Sequence, residues 1–179
     1  MRLVAFSPQA RALLLCTAIA PLLCLALCCG RGGADRAPIE PPDSVDPSIT
    51  ADEWGSIHAF PSVKHGLGVA SADRRPTMVY FHSDANTNCL RVVEELFTDP
   101  GVAMLAGHFV TVVVDVTEDK ETAKAYGIDS FPSFVFLDHK GRVIRRVKGL
   151  KRSAEFRNEM TEAENAFKDA LAAESAGER

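Results

Sequence analysis

The segment Thr77-Met-Val-Tyr-Phe-His-Ser83 is rich in aromatic and β-branched residues and is mostly apolar on both of its alternating faces. A strand of that kind has to be covered from both sides, which favours layered α/β architectures over a one-sided antiparallel sheet. Phe109 to Val116 (Phe-Val-Thr-Val-Val-Val-Asp-Val) is the strongest strand pattern in the chain. These two segments are the natural centre of a sheet, and the rest of the folded body has to supply its covers.

The helical patterns around them do so. Residues 63–73 form a candidate helix, although Gly66 and Gly68 each cost up to about 1 kcal/mol in a helix interior. Cys89 to Phe97 places Cys89, Val92, Val93, Leu96 and Phe97 on one helical face, and Asp99-Pro100-Gly101 stops it. Thr117 to Tyr126 reads as a short helix whose early acids suit the positive helix end, with Gly127 as its stop. Ser133 to Leu137, the turn Asp138-His-Lys-Gly141 and Arg142 to Lys148 read as a hairpin. From about Lys151 to Ala173, Phe156, Met160, Ala163, Phe167 and Leu171 recur at spacings of three and four, a core-facing stripe. The order is helix, strand, helix, strand, helix, strand, strand, helix. Right-handed crossovers then give an α/β fold, a central mixed sheet with helices on both faces. About 120 residues are enough for one such core.

Two segments precede this body. Residues 12–30 carry no charged side chain, and basic Arg2 and Arg11 lie before them, as in an export signal or membrane anchor. Cys28 and Cys29 end the apolar stretch, so cleavage, anchoring and lipoprotein acylation all stay open. Residues 31–50 hold four prolines and two glycines, which excludes a helix or central strand and marks a tether. The expected organisation is a signal or anchor at 1–30, a flexible tether at 31–50 and one domain at 51–175. The expected location is the cell envelope or periplasm, with membrane attachment through the N-terminal segment.

Cysteine mapping limits the chemistry. Of five cysteines, Cys16, Cys24, Cys28 and Cys29 lie in the leader and only Cys89 in the body. A disulfide scaffold or a cysteine-built zinc site needs more. His82, Asp84 and Cys89 are neighbours in sequence but lack metal-ligand spacing, and the glycines of Arg31-Gly-Gly lack a phosphate-loop context; no metal or cofactor is expected. With 20 basic against 24 acidic residues the net charge is −4, without the basic excess of a nucleic-acid binder.

Three motifs in order then resemble the thioredoxin-like superfamily. Tyr80-Phe-His-Ser-Asp-Ala-Asn-Thr-Asn-Cys89 resembles the strand–turn–helix segment that carries the Cys-x-x-Cys pair. Tyr126-Gly-Ile-Asp-Ser-Phe-Pro-Ser-Phe-Val-Phe136 resembles the segment leading into the strand behind a cis-proline. Asp138 to Gly141 with Val147-Lys-Gly149 resembles the terminal hairpin. Phe97-Thr-Asp-Pro-Gly-Val102 is similar to the helix end of the periplasmic thioredoxin-like domain in bacterial thiol–disulfide interchange proteins. The resemblance covers residues 54 to about 172.

The resemblance places Cys89 at the second, resolving cysteine and Asn86 at the first, nucleophilic one, with Ala85 where a tryptophan usually stands. An asparagine caps a helix well but forms no thiolate. Tyr80 stands where many thioredoxins have a buried acid. The resemblance also implies a cis bond before Pro132 and a loop, Ser130-Phe131, whose backbone pairs with an extended peptide without needing a thiol. The leading expectation is an exported peptide- or protein-binding module at Asn86, Phe131 and Pro132, without dithiol turnover. The alternatives are monothiol exchange through Cys89, or a thiol-independent enzyme built on His82, Asp84 and Asn86.

Overall fold

A computed structural model describes residues 52–177; the leader and the tether lie outside the described residues. A short hairpin, β1 (Asp52–Trp54) and β2 (Ile57–Ala59), leads into helix α1 (Val63–Asp73). Strand β3 (Thr77–His82) follows, then helix α2 (Thr87–Arg91), which runs into a π-helical turn (Val92–Leu96). Next come α3 (Pro100–Ala106), β4 (Val110–Asp115), α4 (Lys120–Ala125), β5 (Ser133–Leu137), β6 (Val143–Lys148) and the long α5 (Ser153–Gly177).

The sheet order is β4-β3-β5-β6. β4 runs parallel to β3, whereas β5 is antiparallel to β3 and β6 to β5. Phe60, just past β2, bridges in parallel to Val112 and so touches the β4 edge. All six residues of β3 are buried, as its two apolar faces require. Met78 and Tyr80 join Val113, Phe134 and Phe136 on one face, packed against Leu96, Phe97, Val102, Phe156 and Met160. Val79 and Phe81 join Val112, Val114, Val135 and Leu137 on the other, packed against Val63, Leu67, Ala123 and Tyr126. The α2 run, α3 and α5 therefore cover one face, and α1 and α4 the other. This is the thioredoxin-like α/β fold, with a mixed four-stranded sheet between helical layers.

Several local features depart from the sequence reading. Asp99-Pro100-Gly101 ends one helix but also opens α3: the Asp99 side chain accepts a 2.9 Å bond from the Val102 N–H, and Pro100 sits in the first turn, where its missing N–H costs nothing. The helix expected from Thr117 begins later, at Lys120, under an Asp119 cap on the Thr122 N–H. Thr117 is held in a turn instead, donating its N–H and hydroxyl to Asp115 Oδ1 at 2.8 Å each. The helix expected from Cys89 starts two residues earlier and changes ladder. Val92 N–H bonds the Asn88 carbonyl, four residues back, while Phe97 N–H bonds Val92, five back. The β1–β2 hairpin is too short to read from periodicity; Gly55 holds φ at 63° in its turn, a region glycine enters without strain. Gly66 has a packing reason, since a Cβ there would overlap the Val112 Cγ2 methyl. Its absence lets α1 settle onto β4.

Candidate functional site

β3 delivers its last residues to a polar corner. After His82 and Ser83 the chain turns through Asp84 and Ala85, and Asn86 caps α2 from an extended backbone conformation. Asn86 Oδ1 accepts the Asn88 N–H at 2.9 Å, the arrangement expected of a helix cap. Its Nδ2 donates at 3.1 Å to the carbonyl of Phe131. One side chain thus ties the helix tip to the loop leading into β5.

That loop is held from several sides. The Phe131–Pro132 peptide is cis. Ser133 Oγ donates to the Ser130 carbonyl at 2.7 Å, and the Gly149 N–H donates to the Pro132 carbonyl at 2.8 Å. The Phe131 carbonyl is engaged by Asn86, whereas its N–H makes no hydrogen bond among the described residues. Beside the loop an open groove of about 630 Å³ runs toward α4, lined by Phe131, Ile128, Val116, Ala123, Lys120 and Lys124.

Cys89 faces away from this corner. It lies one helical step further in, is 2% exposed and is unpaired. The Tyr80 hydroxyl donates to the Cys89 carbonyl at 3.0 Å. Tyr80 is fully buried and stacks on Phe134, with Phe97 edge-on. Burial pushes its phenol far above the ordinary range, and Cys89 and then Asp84 push the same way. Tyr80 is therefore a neutral hydrogen-bond donor, not a proton acceptor beneath the thiol.

Of the residues expected to act, Asn86 and Phe131 meet directly, Pro132 is buried behind them, and Cys89 is withdrawn into the core. His82 and Asp84 do approach, Nδ1 to Oδ1 at 3.4 Å, but the Asn86 amide is committed to Phe131 and to the helix end. Instead, His82 and Asp84 meet Asp115, with one ligand atom from each within 4.8 Å of the others. The Thr117 N–H lowers the Asp115 carboxyl below its ordinary value, burial opposes this, and the Thr117 hydroxyl and His82 assist. Sequence reasoning missed Asp115 because it is distant along the chain. The available signal was that both parallel strands end their apolar runs on a polar residue; aligned at those ends, His82 and Asp115 become register partners.

Sheet order, helical covers and the cis-proline loop facing a helix tip define a thioredoxin fold. Residues 63–164 match the family model described as a thioredoxin-like domain, and the chain belongs to that family. A thioredoxin from Thermus thermophilus is 34% identical, with a TM-score of 0.52, over 56% of this chain and 82% of that one. A structure described as DsbH oxidoreductase is similar in fold, at 20% identity and a TM-score of 0.50, over 72% of this chain and 94% of that one. Comparison with curated protein sequences gives no match. Among the described residues no helix is long and apolar enough to cross a membrane.

Proposed function

We propose that this chain is an exported thioredoxin-like module that binds an extended peptide or protein segment at the Asn86–Phe131 corner and does not turn over dithiols. In this reading the domain is nearest to the periplasmic domain of bacterial thiol–disulfide interchange proteins. Asn86 stands at the position of the first cysteine, and the apolar leader carries the chain to the envelope or holds it at the membrane. The observation that carries the reading is the two-way grip of Asn86, which caps α2 and bonds the Phe131 carbonyl. Dithiol exchange needs an attacking thiolate and a resolving thiol, and the body has one cysteine, 2% exposed. That burial also counts against a monothiol route through Cys89, since reactive cysteines sit in partly exposed sites. The unpaired Phe131 N–H and the adjacent groove support the docking of an extended segment.

The test uses the full chain, with thiols located by peptide mass mapping because the leader cysteines also react. Wild type is expected to leave insulin disulfides intact, and Cys89 to be alkylated only after denaturation. Asn86→Cys is expected to form a bond between residues 86 and 89, and its failure to do so in folded protein overturns the placement. Saturable binding of a reduced, carboxymethylated polypeptide, weakened by Phe131→Ala, is expected of the binding role; no binding by wild type overturns it.

A further inference from the structure

We propose that His82, Asp84 and Asp115 form a binding site for one divalent first-row transition-metal ion, with Zn²⁺ as the fitting probe. The cluster stands where open α/β sheets place ligands, outside the carboxyl ends of parallel strands. His82 and Asp115 are the last residues of β3 and β4 and face each other in register, and Asp84 joins them from the following turn.

The geometry fits such an ion. Two donors, each about 2.1 Å from a tetrahedral centre, lie roughly 3.4 Å apart, and His82 Nδ1 already stands 3.4 Å from Asp84 Oδ1. The whole set, within 4.8 Å, has to contract by little more than about 1 Å to reach that spacing. Asp84, 83% exposed at a turn, is free to supply that movement.

The burial of the imidazole favours the same reading. The His82 side chain is only 8% exposed, and the carboxylate set against it, Asp84 with Oδ1 3.4 Å from Nδ1, is one of the three proposed ligands. The imidazole borders a cavity of about 140 Å³, lined also by Trp54, Asp115 and Glu118, and the Trp54 ring sets its edge against it at 5.0 Å. Asp115 is oriented in the manner of a metal ligand: Thr117 fixes Oδ1 by two bonds, and Oδ2 carries no hydrogen bond. One imidazole with two carboxylates suits zinc or its first-row neighbours better than Mg²⁺ or Ca²⁺, which favour all-oxygen shells. Three protein ligands leave a fourth position for water, beside the cavity.

The experiment titrates Zn²⁺ into metal-free full-length protein alkylated under native conditions, with peptide mass mapping to establish that the leader cysteines are blocked and cannot compete as ligands. Calorimetry is expected to show one ion per chain. Asp84→Asn, at an exposed position that does not challenge folding, is expected to weaken binding at least about tenfold. The His82 imidazole signals are expected to move on Zn²⁺ addition in nitrogen-detected NMR of wild type, a readout that does not depend on whether a His82 variant folds. No zinc uptake by the alkylated protein, equal affinity in Asp84→Asn, or movement confined to other histidines each overturns the site and leaves His82 and Asp84 as a simple ion pair.

Discussion

The double role of Asn86 can be separated by substitution. Asn86→Ala removes the helix cap, worth about 1 kcal/mol, and the bond to the Phe131 carbonyl, worth about another 1 kcal/mol. The two bonds leave from different atoms of one amide, Oδ1 and Nδ2. Asn86→Ser keeps an acceptor for the Asn88 N–H but cannot reach across to the loop as a second donor. Alanine should therefore cost about 2 kcal/mol and serine about half as much. With a urea slope near 2 kcal/mol/M, typical for a small domain, the midpoint falls by about 1 M for alanine and about 0.5 M for serine. The slope itself should stay constant, which keeps the comparison a statement about stability. Serine matching wild type would show that the loop bond contributes nothing. Serine matching alanine would remove the cap. Either result refutes the argument that this side chain holds the helix tip and the loop together.

Three further outcomes follow from other parts of the fold. Gly66→Ala should destabilise by about 1–3 kcal/mol, because its methyl meets Val112 and overpacking outweighs the helix-propensity gain of about 1 kcal/mol; a urea midpoint at or above wild type would contradict the packing argument. Tyr80→Phe keeps the ring but deletes the donor to the Cys89 carbonyl; it should cost about 1 kcal/mol and leave Cys89 unreactive in native protein, and rapid native alkylation would show that the phenol guards the thiol. The Asp99 carboxylate is held below its ordinary value chiefly by the Val102 N–H; burial opposes this, and the Arg157 guanidinium assists the lowering. Its contribution is therefore complete above the unfolded value near pH 4 and is lost as pH falls through the lower folded value. Asp99→Asn keeps the capping acceptor without the titration, so its urea midpoint should fall less steeply than wild type below about pH 4, and parallel curves would refute the assignment.

The sheet and its covers were legible because their signals are local. β3, α1 and β5 follow directly from runs of apolar residues and their periodicity, and the stripe through Phe156, Met160, Ala163 and Phe167 is buried along α5 as its spacing requires, while Leu171, the next residue of the stripe, is only half-buried. Capping chemistry explains the misplaced boundaries. Proline and glycine after Asp99 give it the pattern of a stop, yet aspartate followed by proline is equally the start of a helix once the next residues turn back on its carboxylate. The α-to-π change after Arg91 has no comparable signature, since Val92 to Leu96 keeps its apolar face in either ladder.

The same distinction between local and non-local information divides the two polar clusters at the carboxyl end of the sheet. Asn86 was found because the residues relevant to it are three apart on one helix, and an i, i+3 relation is fixed once the helix is. Its partner Phe131 came only from the resemblance, not from any spacing. Asp115 depends on the pairing register of two strands separated by two helices, and a slip of one residue would turn its side chain to the opposite face. That register is set by the apolar faces: Val112 and Val114 must join Val79 and Phe81 beneath α1 and α4, while Val113 joins Tyr80 on the other side. Once those faces are satisfied, Asp115 has only one place to stand, beside His82. The core packing thus fixes the polar cluster at the strand ends, although none of the residues that impose the register belongs to it.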